Sequence, residues 1–244
     1  MTINSYYPCL MYHEIAFPYR HPFYVNPDEF RKQIDWLVAN GYKSIDLRKG
    51  DDSGNVLITF DDGHRSNLEA ARYLHTKGLV AVFYLLKNFS LEDPEYLNED
   101  EIKEIASLGH LIGVHGKNHF WWTRKSKDVL VSELDETARW IESLTGQPPI
   151  TCSAPGGMIR GRERRIIRKY LPYIKYIRSS FHGYNKSGDT NLNSKGVGIM
   201  TSIEEFEKMV KCDTDYYRKA SIKCWLKDRA KDVILRFKTQ HEKE

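Results

Sequence analysis

With 244 residues, 41% hydrophobic and 29% charged, the chain suits one large α/β domain with a proper core and is awkward for two ordinary ones. Its net charge of +4 is too small to argue for nucleic acid, and no basic helix is interleaved with stacking aromatics. No apolar run approaches the roughly 18 residues that a membrane span requires.

In chain order, the opening MTINSYYPCLMYHEI has neither a charged start nor an uninterrupted apolar stretch, so no secretory leader is expected. Residues 8–12 read as the first strand, with His13 after it. NPDEFRKQIDWLVANG follows as a helix, capped by Asn26, with Pro27 at its first position, apolar residues at 30, 34 and 37, and Gly41 as its stop. A second strand over 56–60 runs into Asp61 and Asp62, and a helix spans 64–77. After a strand over 79–86 comes NEDEIKEIASLG, a helix with Asn98 as cap and Glu101 as its capping-box partner. Strand 111–114 precedes His115, and a helix covers 126–145. Strand 150–154 leads into a Pro-Gly-Gly turn, helix 160–170, strand 173–179, strand 196–200 and a helix over 202–211. A last helix, about 213–238, frays into a charged tail. Such alternation predicts a parallel sheet, closed as a barrel or open and doubly wound.

Two compositional details narrow the setting. Cys9, Cys152, Cys212 and Cys224 show no CxxC and no disulfide spacing, which favours a reducing compartment and a cytoplasmic location. The densest basic run, RGRERRIIRK at 160–169, reads as a solvated helix face, with an acidic surface or a phosphate as the alternative partner.

The polar residues fall in a pattern. His13, Asp61, Asp62, His115, the SAPGG turn and Ser179–Ser180 all lie at carboxyl ends of expected strands. In a parallel α/β protein those ends share one face, where active sites are built. His115 and His119, four apart on one turn, can reach the same cation, although a bare H-x3-H is more often a surface pair. An aspartate from a neighbouring strand end completes the open three-ligand set of hydrolytic metal sites. One of the paired aspartates then holds the metal and the other takes a proton from water.

TFDDG at 59–63, with GHLIGVHGKNH at 109–119, resembles the NodB-homology polysaccharide deacetylases of carbohydrate esterase family 4. LMYHEI at 10–15 and FRKQIDWLVANGY at 30–42 resemble the subgroup that begins with a Tyr-His strand. The resemblance runs from about residue 8 to 210, so the whole chain is expected to form a single catalytic domain. It implies an α/β fold, a distorted (β/α) barrel commonly of seven strands. It implies Asp61 as general base, and Asp62, His115 and His119 as ligands of one divalent cation, Zn²⁺ first. The implied reaction is hydrolysis of an N-acetyl amide on an amino sugar of a polysaccharide, a glycoconjugate or a small or lipid-linked precursor.

Three positions depart from the family pattern. Ser153 stands where many members carry an arginine that orients the base, leaving the partner of Asp61 open. NLNSKGVGIM at 191–200 lacks the late histidine that serves many members as general acid, and Gly116 replaces a common Ser or Thr. His13 is the candidate acid, with His182 as the alternative, while His64 is expected to begin a helix and turn away. Trp121 offers a sugar platform or belongs to a packed loop. Ser153, Pro155, Gly157 and His182 are the other candidate substrate contacts. Two further functions stay open: a deformylase or small amidase on the same metal, and a sugar-binding relative without turnover.

Overall fold

A computed structural model of the chain describes residues 6–18, 21–50 and 53–241. Residues 1–5, which open the segment read for a leader, and 242–244, which end the charged tail, lie outside them.

The first half contains β1 (Tyr6–Tyr7), β2 (Cys9–Tyr12), β3 (Glu14–Ile15), β4 (Tyr24–Val25), α1 (Pro27–Ala39), β5 (Leu57–Phe60) and α2 (Asn67–Thr76). Then come β6 (Val82–Leu86), α3 (Lys87–Glu92), α4 (Glu99–Ser107), β7 (Leu111–Gly116) and α5 (Lys127–Thr145). The remainder holds β8 (Thr151–Ser153), α6 (Gly161–Tyr170), β9 (Tyr176–Arg178), β10 (Asn185–Lys186), β11 (Asn191–Leu192), β12 (Lys195–Gly196), α7 (Ile203–Val210) and α8 (Thr214–His241). The cap residues act as their types predict. Asn26 accepts the Asp28 N–H, and Asn98 and Glu101 form a reciprocal capping box.

Eight parallel strands form the main sheet in the order β11-β9-β8-β7-β6-β5-β2-β12. The sheet curls into an open, distorted barrel with β11 and β12 as its two edges. Eight strands replace the seven expected, because β11 is only two residues, Asn191–Leu192, too short to show a strand pattern. The expected strand over 196–200 keeps only Gly196, since Gly198 N–H turns back to Thr201 Oγ1 at 3.0 Å. The expected strands over 79–86 and 173–179 begin only at Val82 and Tyr176.

Side chains alternate across this sheet, as the strand period of two requires. Leu10, Tyr12, Ile58, Phe60, Phe83, Leu85, Ile112, Val114, Cys152 and Ile177 pack outward against helix residues such as Phe30, Ile34, Ile105 and Leu134. Cys9, Leu57, Val82, Tyr84 and Leu111 point the other way and fill the concave side. Gly113 belongs to this inner set, and a Cβ there would lie 2.6 Å from the Tyr84 ring, so glycine is what lets that ring cross the barrel. The four cysteines are free. Among the described residues, no helix is long and apolar enough to cross a membrane.

Candidate active site

The same alternation decides which polar residues meet. His13 continues the inward parity of Cys9 and Met11, Asp61 that of Leu57 and Thr59, and His115 that of Leu111 and Gly113. Ser153 follows Thr151, and Arg178 follows Tyr176. The register aligns Tyr12 with Phe60, Val114 with Cys152 and Ser153 with Arg178. Five strands therefore deliver one inward polar residue each to the same end of the barrel.

Asp61 and Asp62 do not face one another. Asp62 has φ 71, a left-handed conformation that aspartate tolerates better than most residues. The turn separates the two carboxylates, sending Asp62 toward the histidines. His115 Nε2 lies 3.1 Å and His119 Nε2 3.4 Å from Asp62 Oδ1. Asp62, His115 and His119 form a candidate metal group whose donor atoms all lie within 4.8 Å of one another.

The donor chemistry fits a cation. His115 Nδ1 lies 2.8 Å from the Ser153 carbonyl and must donate to it, so the neutral ring presents its Nε2 lone pair to Asp62. Two acceptors then face each other, and the buried Asp62 Oδ1 makes no well-directed hydrogen bond. A cation between them would remove the conflict, and two imidazole nitrogens 3.1 and 3.4 Å from one carboxylate oxygen are a donor set that such an ion takes. Burial alone would raise the Asp62 carboxyl. The adjacent His115, with the charges of His13 and His119, outweighs it and holds that carboxyl well below the usual range. Burial pushes His119 and His13 down, whereas the two aspartates outweigh the burial of His115 and push it up. The turn that carries His119 is pinned: Asn88 N–H donates to Lys117 O at 3.0 Å, and Asn118 N–H to Glu133 Oε1 at 3.3 Å.

Asp61 has a partner that motif reading did not anticipate. Arg178, at the end of β9, is 1% exposed and donates from Nη2 to both Asp61 oxygens and to Ser153 Oγ. Its Nη1 donates to Ser194 Oγ at 2.7 Å, and its guanidinium carbon lies 5.0 Å above the Tyr84 ring. The serine at 153 leaves room for an arginine reaching in from the next strand. The available signal was the residue itself: an arginine in an inward position of a buried strand demands a carboxylate.

The other candidates divide. His13 stacks on Phe23 with centroids 4.9 Å apart, feels the charges of Asp61 and Asp62, and has a buried Nδ1 without a hydrogen-bond partner. The charge of His13 acts on Asp62 together with those of His115 and His119. His182 is half-buried on the connection after β9. His64 does not begin the helix, which starts at Asn67. It bonds Ser66 Oγ at 2.8 Å and lies 3.4 Å from Glu14 Oε2. Pro155 is buried. A Cβ on Gly157, which has φ 73, would fall 1.4 Å from Ser180 Oγ, and one on Gly156 2.7 Å from Trp121 Nε1. These glycines let three loops pack together, with half-buried Trp121 wedged between Gly156 and the Arg124 guanidinium at 5.2 Å.

Known proteins share this architecture. A polysaccharide deacetylase from Bacillus cereus superposes with a TM-score of 0.76 at 22% identity, covering 84% of this chain and 69% of its own. The deacetylase PplD of Streptococcus pyogenes, in complex with acetate, gives 0.75 at 21% identity, covering 84% of this chain and 98% of its own. Both likenesses are of fold. In sequence, YxkH of Bacillus subtilis (strain 168), a polysaccharide deacetylase by name, is 28% identical over 160 residues. That match takes in 62% of this chain and 56% of YxkH, so the chain spans little more than half the length of that curated relative. Residues 48–171, just over half of the chain, match the model of the polysaccharide deacetylase family, and the chain belongs to that family.

Proposed function

We propose that the chain is a divalent-metal hydrolase, with Zn²⁺ as the ion, that removes the N-acetyl group of an amino sugar in a polysaccharide, a glycoconjugate or its precursor. The observation that carries this reading is the convergence of His115 Nε2 and His119 Nε2 on Asp62 Oδ1, one residue from the arginine-held Asp61. An ion held by Asp62, His115 and His119 would supply Lewis acidity to the amide carbonyl and the attacking water.

The chain's own groups do the rest. Asp61 takes a proton from water as the water oxygen adds to the carbonyl carbon. Arg178 grips both carboxylate oxygens, so Asp61 keeps one orientation throughout and needs no reorganisation when the proton moves. Arg178 is thus a positioning residue, acting through Asp61. Cleavage of the C–N bond leaves an amine that must gain a proton as acetate departs. His13, within reach of the charges of both aspartates, delivers it, and burial makes its imidazolium a readier donor. The acetate named in the PplD complex agrees with that product. In this reading the whole chain is one catalytic domain, with the family resemblance over about 8–210 and α8 after it.

Calorimetric titration of the protein with Zn²⁺ tests the assignment. The parent should bind one equivalent, and His115→Ala and His119→Ala should each lose roughly tenfold or more in affinity. Undiminished binding in both variants would overturn it.

A further inference from the structure

The connection between β8 and α6, the first turn of α6 and the segment after β9 enclose a cleft of about 360 Å³. Arg160 and Arg164 supply its charge, Ser179 and Asn193 its neutral polar groups, and Ile159 and Phe181 an apolar wall. Among the described residues that line it there is no carboxylate. Arg164 is half-buried, and its Nε is buried without a hydrogen-bond partner. The acid beside it in sequence is already engaged. Glu163 Oε1 accepts from Arg162 Nη1 at 2.9 Å, and Oε2 from the Arg160 N–H at 3.0 Å. One turn on, Arg168 turns away to Thr190 Oγ1 at 2.9 Å and Asn191 Oδ1 at 3.1 Å. Burial, then the charge of Arg168, pushes the Arg164 guanidinium below its ordinary value. A desolvated cation with an unmet donor in an open cleft is stable chiefly when an anion completes it.

The cleft lies along the ends of two strands that serve the site: Gly157 closes the turn after Ser153 at the end of β8, and Ser179 is the residue after Arg178 at the end of β9. We propose that it is a substrate subsite for an anionic group, a phosphate or a carboxylate on the acetylated sugar or on its neighbour in the chain. Arg164 pairs with that group, as guanidinium forks do with such oxyanions, and Arg160 adds positive charge to the same wall. The substrate class is therefore an anionic glycan or sugar phosphate, and neutral oligomers bind more weakly. This inference rests on the deacetylase reading for the identity of the sugar.

Equilibrium binding separates the two ideas, because it needs no turnover. Calorimetry would compare a neutral N-acetylglucosamine oligomer, the same oligomer with a 6-phosphate, and one ending in a uronate. The Zn²⁺-loaded parent should bind one charged form about tenfold or more tighter than the neutral one. Which form wins identifies phosphate or carboxylate. Arg164→Met keeps the buried stem and should erase that preference, and Arg164→Lys should retain part of it. Equal binding of all three oligomers by the parent would overturn the proposal. So would a preference that survives in both Arg164→Met and the Arg160→Met/Arg164→Met pair. Turnover without a charge preference counts against the subsite alone, whereas a preference without acetate release counts against the activity alone.

Discussion

Arg178→Met keeps the length of the buried side chain and removes its charge. In the parent, the guanidinium is 1% and the Asp61 carboxylate 6% exposed, so neither has water to fall back on. Removing one partner leaves an uncompensated charge in a closed site, a loss of about 3–5 kcal/mol. For a chain of this length the unfolding entropy turns that into a fall in Tm of roughly 6–10 °C. Thermal unfolding followed by circular dichroism reads the shift, and acetate release should fall about 100-fold as Asp61 loses its fixed orientation. The paired variant Asp61→Asn/Arg178→Met holds neither charge and should recover most of the stability, with no recovery of turnover. The exchange Ser153→Arg/Arg178→Ser, which returns the arginine to the adjacent strand, should recover part of both. The reasoning fails if Arg178→Met melts within about 1 °C of the parent and turns over normally, or if the two losses in the paired variant simply add.

Two further outcomes follow from other histidines. His13→Ala should fold and keep its metal, yet lose most hydrolysis of an unactivated acetamide while sparing an activated aryl ester, whose leaving group needs little protonation. Equal losses on both substrates would contradict an acid role, and a loss seen only in His182→Ala would move that role to His182. His110 is a structural counterpart. It is 2% exposed, its Nδ1 accepts the Ala81 N–H at 3.1 Å and its Nε2 donates to Ala71 O at 2.9 Å, so only the neutral ring fits. Burial pushes it down to about 4 from an ordinary 6.5, so the unfolded chain takes up this proton first as pH falls. Its contribution is fully present above pH 6.5 and is lost toward pH 4, about 3 kcal/mol in all. Denaturant titrations of His110→Gln should show an acid-side slope shallower by up to about 1.4 kcal/mol per pH unit. A slope equal to the parent's would refute this.

Much of the site was legible because strand ends and turn residues carry strong local signals. Asp61, Asp62 and His115 sit directly after apolar runs, and the helix caps at Asn26 and Asn98 behave as their side chains dictate. What escaped was long-range. Arg178 reaches across the barrel from β9 to β5, a contact 117 residues apart that no local pattern announces. A two-residue strand such as β11 leaves no alternation to read, and it is held by its pairing with β9. The basic run on α6 reads as a solvated face, with an acidic surface or a phosphate as the alternative, yet in the fold Glu163 is buried and Arg164 lines a cleft. Charge density along a helix does not reveal which face meets its neighbours. The glycines at 156 and 157 read as a turn or a close approach for a ligand, but they make room for Trp121 and Ser180, which lie elsewhere in the sequence.

The central claim is that Asp62, His115 and His119 hold the ion while Asp61 moves the proton. Asp61→Asn, loaded with Zn²⁺ and assayed well below its melting transition, tests that division directly. Metal content and acetate release from an N-acetylated amino-sugar oligomer would be measured on the same sample. The account predicts one bound ion and a rate reduced about 10²–10⁴-fold, the contribution of a positioned base. Loss of the ion with Asp61→Asn, or full turnover by it, would contradict the account.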